Sequence, residues 1–250
     1  MKIAICIPCY GNPEVMFMQC LVNMINHFTT ANATDTDGKP LNIEWDVFIV
    51  GSSMLTESRH RLTAEALAWG ADYMLCLDAD HTFPPDTLLR LWSANKPIIG
   101  CNYSRRAVPT APTACAFEGG LLYSTEEKIK DDLVEQCQHL GFGVLLINMA
   151  VFDNLQAHAE SQGEDSFLPL FMFEPSEDKV GMVGEDVYFF RKMRAAGVDA
   201  WVDHGLSGEV GHIHKTLMRN SHAVSQRDDW TKAEEAKSEK LEKAAAEAEA

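Results

Sequence analysis

Two aspartates separated by one small residue, Asp78-Ala79-Asp80, stand directly behind the uncharged run Tyr73-Met-Leu-Cys-Leu77. In extended chain, residues i and i+2 point the same way, so this spacing predicts two carboxylates aimed at one point. Converging carboxylates repel unless a cation or a proton sits between them. Oxygen ligands suit Mg²⁺ or Mn²⁺, ions commonly shared with substrate phosphates. Arg105-Arg106 leaves a predicted strand end, where guanidinium groups could grip phosphate or simply be solvated. Glu185-Asp186 follows Gly184 at a predicted helix start, where acids often only complement the dipole. His212 and His214 share a face of a predicted extended segment and could meet a metal. Cys6-x-x-Cys9 invites a redox or zinc reading. Cys6 falls mid-strand, however, and no second cysteine pair completes a metal site.

The elements that must position these groups follow from periodicity. Short apolar runs read as buried strands: Lys2–Pro8, Ile43–Val50, Tyr73–Leu77, Lys96–Cys101, Val144–Asn148 behind Gly141-Phe-Gly143, and Val198–Val202. Helical spacing covers Glu14 to Thr30, with the stripe Val15, Met18, Leu21, Val22, Ile25. It also covers Leu55–Trp69, Thr87–Ala94 behind Pro84-Pro85-Asp86, Val151–Gln162, and a helix from Gly184 to a stop at Gly197. Ala114–Tyr123 reads as a hairpin, and Glu126–His139 as polar and partly helical. Open α/β sheets bind ligands beyond the carboxyl ends of their strands. Asp78-Ala79-Asp80, Pro8-Cys9-Tyr10-Gly11 and Gly51-Ser52-Ser53 all fall there. Arg59 shares the apolar stripe of Leu55, Leu62 and Ala66. An arginine on an inward face needs a partner; it either snorkels to the surface or points its guanidinium into the crevice.

At 250 residues and 46% hydrophobic content, the chain can bury a full core, as one domain with a small appendage. The net charge is −16, which argues against a broad basic footprint for nucleic acid. It leaves room for a local basic rim of Arg105, Arg106, Lys215 and Arg219. Asp228–Ala250 holds eight acids and four lysines among alanines and reads as a solvated helix or a disordered tail. Met1 to Pro8 is too short and lacks the cleavage site of a signal peptide, and no membrane span appears. The expected location is therefore cytoplasmic. Seven cysteines, mostly in apolar strands, fit reduced thiols.

Taken in order, Ile5-Cys-Ile-Pro-Cys-Tyr10, Arg59, Gly70 through Asp78-Ala-Asp80, Gly141-Phe-Gly143, Gly184-Glu-Asp186 and His212 resemble a nucleotide-sugar glycosyltransferase of the GT-A fold, over roughly residues 2–215. The resemblance implies an α/β, Rossmann-type, mostly parallel sheet flanked by helices. It implies a domain over 1–227, with a nucleotide-binding half (2–101) and an acceptor half (102–227), followed by the tail 228–250. It implies Mn²⁺ or Mg²⁺ held by Asp78, Asp80 and His212 and bridging the donor diphosphate, with His214 the substitute if the register shifts by two. Pro8, Cys9, Tyr10, Gly11, Ser52, Arg59, Ala79, Arg105, Arg106 and Gly143 are then donor-site residues. A UDP-sugar is the first candidate donor, although Ser52 stands where many relatives carry a base-reading acid.

In such a reaction the leaving diphosphate gains negative charge that metal and arginine stabilise. Asp186 or Glu185 would act as general base in an inverting reaction, or orient the sugar in a retaining one. The acceptor is a glycan or polymer first and hydroxymethylated DNA second. Two other classes stay open. Asp78-Ala-Asp80-His-Thr82 also fits the signature of aspartyl-phosphate phosphohydrolases, with Asp78 as nucleophile, though that motif usually lies on the first strand of its domain. A non-catalytic nucleotide-sugar-binding module would bind donor without turnover.

Overall fold

The structure is a computed structural model that describes residues 1–31, 34, 38, 40, 42–107, 109–176, 181–215, 227, 232 and 235. The chain divides into two compact units, Met1–Ile213 and His214–Ala250. His214 belongs to the second unit and is exposed. The tail expected over 228–250 lies outside the described residues apart from Lys232 and Glu235, and so does Arg219. No helix among the described residues is long and apolar enough to cross a membrane.

The first unit begins β1 (Lys2–Pro8), α1 (Val15–Thr30), β2 (Glu44–Val50), α2 (Leu55–Trp69), β3 (Tyr73–Leu77), β4 (His81–Thr82), α3 (Thr87–Ser93), β5 (Ile98–Gly100) and β6 (Cys115–Ala116). It continues α4 (Glu126–Lys130), β7 (Val134–His139), β8 (Val144–Asn148), α5 (Val151–Ser161), β9 (Glu174–Pro175), β10 (Met182–Val183), α6 (Glu185–Ala195), β11 (Ala200–Asp203), α7 (His204–Ser207) and β12 (Gly211–His212). Eight strands form one sheet in the order β2-β1-β3-β8-β5-β11-β7-β6. β1 is parallel to β2 and β3, and β5 to β11. β8 runs antiparallel between β3 and β5, and β7 and β6 close the far edge antiparallel. The architecture is the expected helix-flanked GT-A-like α/β sheet.

Alternation of side chains builds both layers of the core. Ile3, Ile5 and Ile7 of β1, with Leu75 and Leu77 of β3, pack against Phe17, Leu21, Met24 and Phe28 of α1 and Leu88 and Leu91 of α3. Ala4, Cys6, Met74 and Cys76 face the other way, onto Leu62 and Ala66 of α2 and the Phe152, Phe189, Phe190 and Met193 layer of α5 and α6. Cys6 and Cys76 are register partners, and burial pushes the Cys76 thiol up to about 12. These are protonated packing groups rather than redox nucleophiles.

One expectation about elements is corrected, and another is completed by a strand. The buried face of α1 is Phe17, Leu21, Met24 and Phe28, while Val15, Met18 and Val22 are exposed. Apolar residues occur around much of that helix, and the larger rings take the interior. The segment Glu126–His139 is partly helical, as expected, over Glu126–Lys130. Val134-Glu-Gln-Cys-Gln-His139 is an edge-side strand whose polar residues disguise it.

Candidate active site

The carboxyl ends of β1, β2, β3 and β5 meet the start of β8 along one rim of the sheet. Chain direction changes there after Leu77. Asp78-Ala79-Asp80 forms a turn, with His81 N donating to Asp78 O at 3.2 Å. The turn departs from the extended chain in which i and i+2 share a face, and the two carboxylates have different partners. Asp78 Oδ1 faces Arg59 Nη2 at 3.5 Å. Asp80 faces His81, His212 and Arg106.

Arg59 lies on the inward face of α2 and is 7% exposed. Its guanidinium carbon stacks 4.4 Å over the Phe142 ring, and its Nε is 3.6 Å from Glu185 Oε1. Both carboxylate contacts are long. Burial lowers the Arg59 pKa, but the charges of Asp78 and Glu185 outweigh it and the net shift is upward. Burial raises the Glu185 carboxyl, partly countered by Arg59. Glu185, expected beside Asp186 as a catalytic candidate, is thus a buried partner of an arginine. Asp186 is half-buried, and its Oδ1 accepts from Val187 N at 2.7 Å.

The second cluster is assembled by β4 and β12, which pair His81 with His212. Asp80, His81 and His212 offer ligand atoms within 4.8 Å of one another. The rings of His81 and His212 stack at 4.3 Å and 18°. His212 Nδ1 lies 3.0 Å from the carbonyl of Ser104. A carbonyl only accepts, so Nδ1 carries a proton, and Nε2 lies on the other side of the ring, 3.6 Å from Asp80 Oδ2. That backbone anchoring is the arrangement metal-ligating histidines adopt. His81 Nδ1 sits 3.0 Å from Asp80 Oδ1, while its buried Nε2 has no hydrogen-bond partner. Burial opposes ionisation of Asp80. The side chains of His212 and His81, and the charge of Arg106, more than offset it, holding the carboxyl well below the usual range. A carboxylate with imidazole nitrogens fits Mn²⁺ better than Mg²⁺.

The remaining expected residues frame these clusters. Pro8 ends β1; Cys9 N donates to Val50 O at 3.0 Å, and Tyr10 is 82% exposed. Gly11 has φ +85°, a conformation that favours glycine. Ser52 Oγ accepts from Met54 N. The Ala79 carbonyl accepts from Glu14 N at 2.9 Å, tying the turn to the start of α1. Arg105 is exposed, and Arg106 Nη1 lies 2.8 Å from Asp80 Oδ2.

Sequence reasoning passed over His81 and Tyr103. His81 directly follows the aspartate pair, and that adjacency was the available signal. Tyr103 packs edge-on to His81 at 4.2 Å, and its hydroxyl accepts from Gly143 N at 3.0 Å. Burial above all, with Asp78 adding, pushes that hydroxyl well above its ordinary value.

A Cβ on Gly143 would stand 2.4 Å from His81 Nε2 and 2.8 Å from Tyr103 Cε1. Gly143→Ala is therefore expected to displace the His81 ring and lower stability by about 1–3 kcal/mol, as overpacking does. A urea titration with an unchanged midpoint would show that the cluster yields without cost.

No family model matches this sequence, and no curated protein matches it. The fold does have solved neighbours. A197 from STIV superposes with a TM-score of 0.51 at 11% identity, over 88% of this chain and 97% of that one. GalNAc-T7, crystallised with UDP, GalNAc and Mn²⁺, gives a TM-score of 0.51 at 12% identity over 86% of this chain. The match covers only 44% of the GalNAc-T7 chain. At these identities the likeness is one of fold, and the chain has the GT-A-like architecture.

Proposed function

We propose that this chain is a metal-dependent glycosyltransferase that moves a sugar from a nucleotide-sugar donor to an acceptor hydroxyl. The observation that carries this reading is the position of the Asp80, His81 and His212 cluster at the carboxyl rim of a GT-A-like sheet. A neighbour of that fold was crystallised with UDP, GalNAc and Mn²⁺. Asp80 and His212 would hold the cation, with His81 beside them. The cation's contribution is positive charge where the leaving diphosphate becomes more negative.

The chain's own residues supply the rest. Pro8 to Gly11 and Ser52 line the donor side, where the exposed ring of Tyr10 offers a face to a nucleobase. Arg59 fixes Asp78 and Glu185 beneath the rim. Asp186, at the start of α6, is the carboxylate available to accept the acceptor's proton or to orient the donor sugar. A glycan or polymer acceptor ranks ahead of modified DNA because the net charge of −16 repels a polyanion.

The test is a hydrolysis screen across nucleotide sugars with Mn²⁺. One donor should be slowly cleaved, EDTA should stop the cleavage, and p-nitrophenyl phosphate should remain intact. Cleavage of p-nitrophenyl phosphate with no donor turned over would assign Asp78 to phosphohydrolase chemistry instead.

A further inference from the structure

We propose that Arg106 is the resident counter-cation of Asp80 and gives up that place when a divalent cation binds, coupling cation loading to the position of the loop segment that bears Ser104, Arg105 and Arg106. The proposal rests on the cation-site reading of Asp80 and His212 given above.

Arg106 Nη1 lies 2.8 Å from Asp80 Oδ2, the same oxygen that faces His212 Nε2 at 3.6 Å. A cation shared by Asp80 and His212 needs that oxygen and its charge, so it competes directly with the guanidinium. The two nearby arginines differ in their freedom to leave. The Arg59 side chain is 7% exposed and sits between two carboxylates, whereas that of Arg106 is 51% exposed. Releasing Arg106 returns it to water it already touches, while releasing Arg59 would strand buried charge.

The loop holds the site by two handles of different kinds. It is closed on itself by Arg105 N donating to Ala111 O at 2.8 Å, Thr110 Oγ1 donating to Arg105 O at 2.7 Å, and a bridge between Ser104 and Pro112. Its Ser104 carbonyl accepts from His212 Nδ1 and keeps that ring oriented. Arg106 can therefore depart without disturbing the histidine. Once freed, it stands at the rim with Arg105, where an anionic group drawn to the cation would meet it.

The experiment is a calorimetric Mn²⁺ titration of the full chain at low ionic strength, with no donor present, comparing wild type, Arg106→Lys and Arg106→Gln. Arg106→Gln should bind Mn²⁺ roughly 10-fold more tightly, with Arg106→Lys between the two. In the wild type, Mn²⁺ should also speed tryptic cleavage after Arg106, a readout that needs no variant. Equal Mn²⁺ affinity in wild type and Arg106→Gln, or a cleavage rate indifferent to Mn²⁺, overturns the exchange while leaving the cation site standing. No Mn²⁺ binding by any of the three chains overturns the site and the exchange together.

Discussion

Replacing Arg59 by methionine should lower the stability of the folded chain by about 3 kcal/mol, because it leaves Asp78 and Glu185 as uncompensated carboxylates. Their side chains are only 24% and 11% exposed. Methionine keeps much of the volume over the Phe142 ring, so the loss reports charge rather than a cavity. The double variant Arg59→Met/Glu185→Gln should recover part of it, since a neutral amide is cheaper to bury. The pH dependence has a definite sign. Glu185 already has a folded pKa above its unfolded value, and removing Arg59 raises it further. The folded state then binds that proton more tightly than the unfolded state, so the deficit shrinks as pH falls into the raised carboxyl range and grows as pH rises through it. Urea midpoints at several pH values measure this. A change below about 1 kcal/mol at neutral pH would mean that the pair is effectively solvated.

Asp80→Asn and Asp186→Ala should fail in different ways. Asp80→Asn removes the charge that two histidines and Arg106 surround, and calorimetry should find no Mn²⁺-dependent binding of nucleoside diphosphate. Asp186→Ala should bind diphosphate and Mn²⁺ normally yet lose transfer by about 10²-fold or more, the usual size of a general-base contribution. Glu185→Ala should behave as neither, its main cost being stability through Arg59. Normal transfer by Asp186→Ala would reduce that acid to a complement of the helix dipole, and unchanged metal-dependent binding by Asp80→Asn would remove Asp80 from the cation site.

Much of this was legible in the residues. Uncharged runs such as Tyr73–Leu77 mark buried strands because both of their faces must be apolar, and the helix from Leu55 to Trp69 came with its inward arginine. The direction of β8 was not legible, since Val144–Asn148 is equally apolar whether its neighbours are parallel or antiparallel. β7 was disguised by Glu135, Gln136 and Gln138 because a strand near a sheet edge can be polar. At the site, the residue types were read but not their grouping. One turn at Asp78–His81 gives the two aspartates different partners, and β4–β12 pairing brings His81 beside His212 across 131 residues of chain. Neither event leaves a periodic signal.

The antiparallel placement of β8 also governs the order in which the sheet can be completed. Of this sheet, residues 2–101 contain β1, β2, β3 and β5, but β3 and β5 do not pair; Val144–Asn148 lies hydrogen-bonded between them. A chain leaving the ribosome amino-end first holds the facing edges of β3 and β5 open, each able to template a wrong partner, until that segment emerges. The first half is thus a set of strands awaiting a keystone, and closure is a long-range event of the kind that slows folding and favours chaperone contact during synthesis.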